Sequence, residues 1–184
     1  MAPRIAPVQI DQAPEKTKEL LGVVKKKLGG TPNLLTTMAQ SPAVLGSYLA
    51  FSDALSGASL SAALREQIAM TVAGANACEY CASAHTAIGK GLGVDQDELA
   101  RNLEADSSDA KTSAALTFAR KIVVSRGFVT DSDIRDIREA GYSDAQIAEI
   151  VTTVALNLFT NYFNHVAQTE VDFPRVEVGE PATA

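Results

Sequence analysis

Apolar residues recur along this chain at intervals of three and four, the spacing that lines one face of an α-helix, and Gly, Pro and short polar residues punctuate the runs. Pro3 and Pro7 deny helix to the first ten residues. Pro14 stands at a first-turn position for a helix to about Leu28, where Gly29 and Gly30 stop it. A short helix follows with Leu34, Leu35 and Met38, and Ser41 with Pro42 opens another through Leu45, Leu49 and Ala54 that Gly57 ends. Ser61 caps a helix with Leu64, Glu66, Ile68, Ala69 and Val72, which fades over Gly74, Ala75 and Asn76. Asp95 with Glu98 is read as a capping box, Asp109 leads a longer helix through Leu116, Phe118, Ile122 and Val123, and Thr130 starts one closed by Gly141. Ser143 with Gln146 is a second capping box. It opens a strongly apolar helix from Ala145 to about Ala167, whose Ile147, Ile150, Val151, Val154, Leu158 and Phe159 cover more than one face. That predicts a central helix, or one buried at a subunit interface.

These elements make the fold class all-α, one helical domain. Residues 1–30 form an N-terminal segment and first helix, residues 31–174 the main helical body, and residues 175–184 a short polar tail expected to be mobile. A weak internal repeat is visible: Gln67, Ile68 and Ala69 lead to His85 much as Gln146, Ile147 and Ala148 lead to His165.

Composition supports the reading. With 184 residues, 46% hydrophobic and 21% charged, the chain can bury a real core, and 5% aromatics with no Trp suit packed helices better than a sheet sandwich. A net charge of -6 argues against a nucleic-acid partner. Lys25, Lys26 and Lys27 are the one basic run and read as a solvated helix face. No apolar stretch reaches the roughly 18 residues of a membrane span, and the start of the chain lacks a signal-peptide pattern. A cytoplasmic protein is expected, its thiols reduced.

Chemistry concentrates in one string, Cys78-x-x-Cys81-x-x-x-His85, which holds both cysteines and one of two histidines. On a helix these three side chains share a face, and a cysteine near a helix N-terminus beside an imidazole gains thiolate character. Glu66 lies twelve residues before Cys78, roughly 18 Å away if the helix were continuous at ~1.5 Å per residue. A break between Gly74 and Cys78 would fold Glu66 back beside His85, where a carboxylate can orient the imidazole and hold its proton.

Glu66 followed by this cysteine–histidine string resembles the active-site signature of the AhpD-like alkyl hydroperoxidases in the carboxymuconolactone decarboxylase superfamily. Pro32 with Asn33, Ser41 with Pro42, Leu64 with Arg65, and the run Asn161, Tyr162, Phe163, Asn164, His165 are similar to its peroxidase-related branch, so the likeness spans roughly Thr31 to Pro174. The resemblance implies an AhpD-like helical bundle assembled as trimers or hexamers. It implies a peroxidase or disulfide reductase for small alkyl hydroperoxides, with no bound cofactor or metal and with a dithiol or dihydrolipoyl-type protein as reductant. On that carry-over Cys81 is peroxidatic, Cys78 resolves it, and His85 with Glu66 relays protons.

AhpD carries a histidine before its second cysteine, whereas this chain has Tyr80, a poor base near neutral pH and here a candidate pocket wall with a wet hydroxyl. His165 is a further candidate pocket residue, or a hydrogen-bonded core or interface histidine. Three alternatives stay open. They are a zinc site of Cys78, Cys81, His85 and perhaps Glu66, a non-enzymatic redox-sensing oligomer, and a decarboxylase-like lyase using His85 or His165. The decarboxylating branch of the family generally lacks the cysteine pair.

Overall fold

A computed structural model of the protein describes residues 2–182, and among them the architecture is all-helical with no strand. A 3-10 turn at Ile10–Gln12 precedes α1 (Glu15–Leu28), α2 (Asn33–Met38), α3 (Pro42–Ser56), α4 (Ala62–Ala75) and α5 (Glu79–Gly91). Then come α6 (Gln96–Asn102), α7 (Ala110–Val124), α8 (Asp131–Glu139) and α9 (Asp144–Ala167).

The boundaries follow the local chemistry. Ser61 Oγ accepts from Leu64 N at 3.1 Å, and Asp109 accepts from Thr112 N at 2.8 Å, each satisfying an orphan amide of a first turn. Gly29 ends α1 in the left-handed region at φ 77. The reciprocal capping box forms at Ser143 with Gln146 and also at Thr130 with Asp133. It does not form at Asp95. The Asp95 carboxylate takes Asp97 N, while the Glu98 carboxylate turns away to bind Ser107, Ser108 and Asn102, pinning the loop into α7.

The central helix is α4, not α9. It packs against α5, α6, α7 and α9, and Ile68, Ala69, Met70, Val72 and Ala73 are at most 1% exposed. It separates two apolar clusters, one filled from α7, α8 and α9 by Leu116, Phe118, Ile137 and Ile150, the other from α1, α2 and α3 by Leu21, Met38 and Leu45. Both cysteines belong to the second cluster. The apolar excess of α9 instead leaves Val151, Phe159, Tyr162 and Val166 exposed as a stripe on its outer side.

Both chain ends wrap the second cluster. Arg4 N bonds to Ala167 O and Val8 N to Thr36 O. The tail is tethered over its described length: Asp172 accepts from Asn33 N, Val176 N donates to Ser83 Oγ, and Ala182 N donates to Ala75 O. Val176 and Val178 also lean on the core, and the last two residues of the expected tail lie outside the described residues. The two candidate repeats diverge, because α4 and α5 are separate helices where α9 is continuous.

Gly74 lets α4 pass close to the end of α6, since a Cβ there would clash with Leu103 O, a backbone atom. Gly74→Ala should therefore destabilise the fold by about 1–3 kcal/mol through overpacking. Gly22→Ala on α1, with nothing within 4 Å, should be neutral or stabilising. Chemical denaturation midpoints of the two variants compare them directly.

Candidate active site

The site is assembled by a helix reversal. After α4 the chain turns through Asn76 and Ala77, and Ala77 occupies the left-handed region at φ 52, a conformation costly for a residue with a Cβ. Local bonds hold it there. Cys78 N donates to Ala73 O at 2.9 Å, and the Asn76 amide donates to Val72 O at 2.9 Å and to Asn161 Oδ1 at 3.1 Å. This break lies where the glycine and asparagine predicted it, and it brings α5 back alongside α4.

Glu66 and His85 consequently meet across the two helices, with His85 Nδ1 2.6 Å from Glu66 Oε2 and each side chain about four-fifths buried. Cys81, in the first turn of α5, is 2% exposed. It lies in the wall of a cavity of about 400 Å³ that also takes in Tyr48, Arg65, Glu66 and His85. Most of the remaining wall is apolar, including Leu35, Leu55, Ile88, Leu156 and Phe173. Cys78 departs from the expected shared helical face. It is the N-cap of α5 with extended backbone, φ -94 and ψ 91, and it is not among the residues that line the cavity.

A third element completes the site. The inner side of α9 carries a buried polar row, Thr153, Asn157, Thr160, Asn161 and Asn164, at helical spacing inside an otherwise apolar segment. Asn164 Nδ2 donates to Cys81 Sγ at 3.2 Å, and Thr160 Oγ1 lies 3.8 Å from the same sulfur. Sequence reasoning missed Asn157, Thr160 and Asn164 as site residues. The signal was the polar row itself, of which only Asn161 and Asn164 stood in the motif run.

The electrostatics single out Cys81. A hydrogen bond from Cys78 brings its thiol down to about 6 against the opposing effect of burial, with the positive His85 and the Asn164 amide adding to the effect. Cys78 moves strongly upward because it gives that hydrogen bond and is itself buried. Burial pulls His85 down, but the charge and hydrogen bond of Glu66, with Cys81 and Asn157, outweigh it and raise the imidazole above its ordinary 6.5. The arrangement therefore favours a thiolate on the cavity side, an imidazolium beside it and a protonated thiol behind.

Two expectations change. Tyr80 contributes to the cavity wall, but its hydroxyl is not wet: it accepts from Leu34 N at 3.0 Å, and its ring packs edge-on against Phe173 at 5.8 Å. It faces α2 and the tail, not the proton relay. His165 is exposed and does not line the cavity, because it sits about a quarter turn around α9 from the polar row. Among the described residues, no group of three or more His, Cys, Asp or Glu side chains converges in a way that could hold a metal ion, so the four-ligand zinc arrangement is not formed. No helix among them is long and apolar enough to cross a membrane.

The signature of the carboxymuconolactone decarboxylase family matches residues 42–125, from the start of α3 through α7. A search of curated proteins found no match. Solved structures are similar over nearly the whole chain. A peroxidase-related protein from Silicibacter sp. TM1040 aligns with TM-score 0.80 and 25% identity over 90% of this chain and 91% of its own. An AhpD-core peroxidase-related protein from Ralstonia eutropha JMP134 aligns with TM-score 0.81 and 25% identity over 92% of each chain. The debrominase Bmp8, crystallised with 2,3,4-tribromopyrrole, shares the fold at TM-score 0.79 and 22% identity, over 94% of this chain and 93% of its own.

Glu66→Gln should uncouple the pair. Without the carboxylate His85 loses its proton at lower pH, and the Cys81 thiolate loses its neighbouring cation. Ultraviolet thiolate absorbance followed against pH should show the Cys81 midpoint moving up from about 6 by about one unit.

Proposed function

We propose that the chain is a member of the AhpD-like, carboxymuconolactone decarboxylase superfamily that acts as a thiol-dependent peroxidase or disulfide reductase and reduces small organic hydroperoxides. The observation that carries this reading is the Cys81 sulfur, stabilised as thiolate in the cavity wall, beside the Glu66–His85 pair and three positions after a second thiol. The apolar wall suits an alkyl or aryl hydroperoxide better than hydrogen peroxide.

The Cys81 thiolate attacks the terminal peroxide oxygen, an S–O bond forms as the O–O bond breaks, and the electron pair leaves on the alkoxide. His85 supplies the proton that makes it an alcohol, with Glu66 holding the imidazolium in place. Cys81 is then a sulfenic acid. The Cys78 sulfur attacks it, the S–O bond breaks, and water leaves with the Cys78 proton. A dithiol donor, free or on a dihydrolipoyl-type protein, returns the disulfide to two thiols as it becomes a disulfide itself. Two free thiols suit a reducing cytoplasm. The outer stripe of α9, with Val151, Phe159, Tyr162 and Val166, is the surface to be buried in a homo-oligomer, a trimer or hexamer by likeness to the family.

Peroxide consumption with several dithiol donors tests the assignment. Cys81→Ser should abolish turnover, whereas Cys78→Ser should retain one equivalent of peroxide reduction per chain without turnover. Cysteines that stay reduced in the folded protein under excess hydroperoxide would overturn the thiol mechanism, and decarboxylation of a small carboxylated ring that survives both substitutions would favour the lyase chemistry of the family instead.

The pH profile is a second expectation. Activity should rise through about pH 6 as Cys81 ionises and fall at higher pH, above 6.5, as the raised His85 gives up its proton. Steady-state rates across this range, with a single hydroperoxide at fixed concentration, should trace a bell whose basic limb moves down in Glu66→Gln.

A further inference from the structure

Asn164 stands in the motif run at the end of α9, and the mechanism above gives it no role. Its side chain is 4% exposed, its Nδ2 donates to Cys81 Sγ at 3.2 Å, and its Oδ1 is buried with no hydrogen-bond partner among the described residues. The neighbouring hydroxyl cannot replace it as donor in this arrangement, because Thr160 Oγ1 gives its hydrogen to Asn157 O at 3.0 Å. The orphaned carbonyl is the second observation. A buried acceptor without a partner is costly, and a native protein tolerates one where another state of the site satisfies it.

We propose that Asn164 is a catalytic residue that serves both redox states of Cys81: its amide N–H holds the thiolate, and its carbonyl oxygen accepts the O–H of the Cys81 sulfenic acid. Both groups are on one planar amide, and oxidation adds an oxygen and a hydrogen to the very sulfur the amide already contacts. In the reduced state the N–H opposes the desolvation of a nearly fully buried anion. In the sulfenic state the carbonyl keeps the hydrogen on the acid, which disfavours the sulfenate that a second hydroperoxide would oxidise to sulfinic acid with release of a second alcohol. The proton is thereby held until Cys78 attacks and water leaves. This inference rests on the peroxidase reading for its oxidised half alone, since the thiolate contact exists in the reduced protein.

Asn164→Leu removes donor and acceptor while keeping the branched heavy-atom skeleton, and Asn164→Ala removes them with a small void. In both, the thiolate midpoint should move up by about one unit. The rate with hydroperoxide should fall about tenfold near pH 5 and recover near pH 8, a rescue that loss of structure would not give. In the Cys78→Ser background, mass spectrometry should find sulfinic acid at Cys81 accumulating faster with the Asn164 substitution than without it. Unchanged midpoint and pH profile would overturn the proposal while leaving the peroxidase reading intact. Peroxide consumption independent of Cys81 would overturn that reading and leave the thiolate contact to be judged on the midpoint alone. Should neither variant fold, nuclear magnetic resonance of the unsubstituted protein decides. The Asn164 side-chain amide should shift with pH through the Cys81 titration and shift again on stoichiometric oxidation, and an amide indifferent to both would refute the role.

Discussion

The contact between Glu66 and His85 depends on the chain reversing between α4 and α5, and most of the chemistry at the site depends on that contact. Along a continuous helix the two side chains would be far apart. The reversal costs a left-handed alanine at position 77, and the cost is offset by Asn76, which ties the turn both to its own helix and to Asn161 on α9. One amide side chain thus ties α4, which supplies the carboxylate, to α9, which supplies the polar row, at the turn that leads into α5. Strain at the turn and order at the site have a common origin.

The charge pattern follows from the same geometry. A carboxylate, an imidazole and a thiolate are gathered where water is scarce, so each must be compensated by its neighbours. Glu66 and His85 answer one another, and Cys81 is answered by His85, by the Asn164 amide of α9 and by the Cys78 thiol. Two chemically identical cysteines are driven in opposite directions by their places in the first turn of one helix. Position, not composition, decides which sulfur is reactive.

Much of this was legible in the residues. Gly74 and Asn76 marked the break, Ser61, Asp109 and Ser143 marked helix starts, and Glu66 with the cysteine string marked the half of the candidate site on α4 and α5. The α9 half was hidden, because Asn164 is 83 positions from Cys81 and a polar residue in an apolar helix can face solvent as readily as a thiolate until its register is known. Tyr80 was misjudged for a related reason: its partners, Leu34 and Phe173, come from α2 and the tail, which no local pattern places beside it. The choice of α9 as the centre weighted apolar count over side-chain size. Small residues such as Ala69, Ala73 and Gly74 let neighbours close around α4, and that helix takes the middle. Glu98 shows the same limit at smaller scale, its nearest-neighbour capping role losing to a loop ten residues away.

The placement of Cys78 behind α5 has one more consequence. Only one of the two sulfurs is presented to the cavity, so on the peroxidase reading the hydroperoxide and the dithiol approach through a single doorway and address the same atom. They cannot be bound there together. The enzyme would then alternate between two covalent forms, giving its electrons away before it can receive new ones, and each reactant in excess would obstruct the other. Separation of the two half-reactions would be achieved in time, because the architecture provides no separation in space.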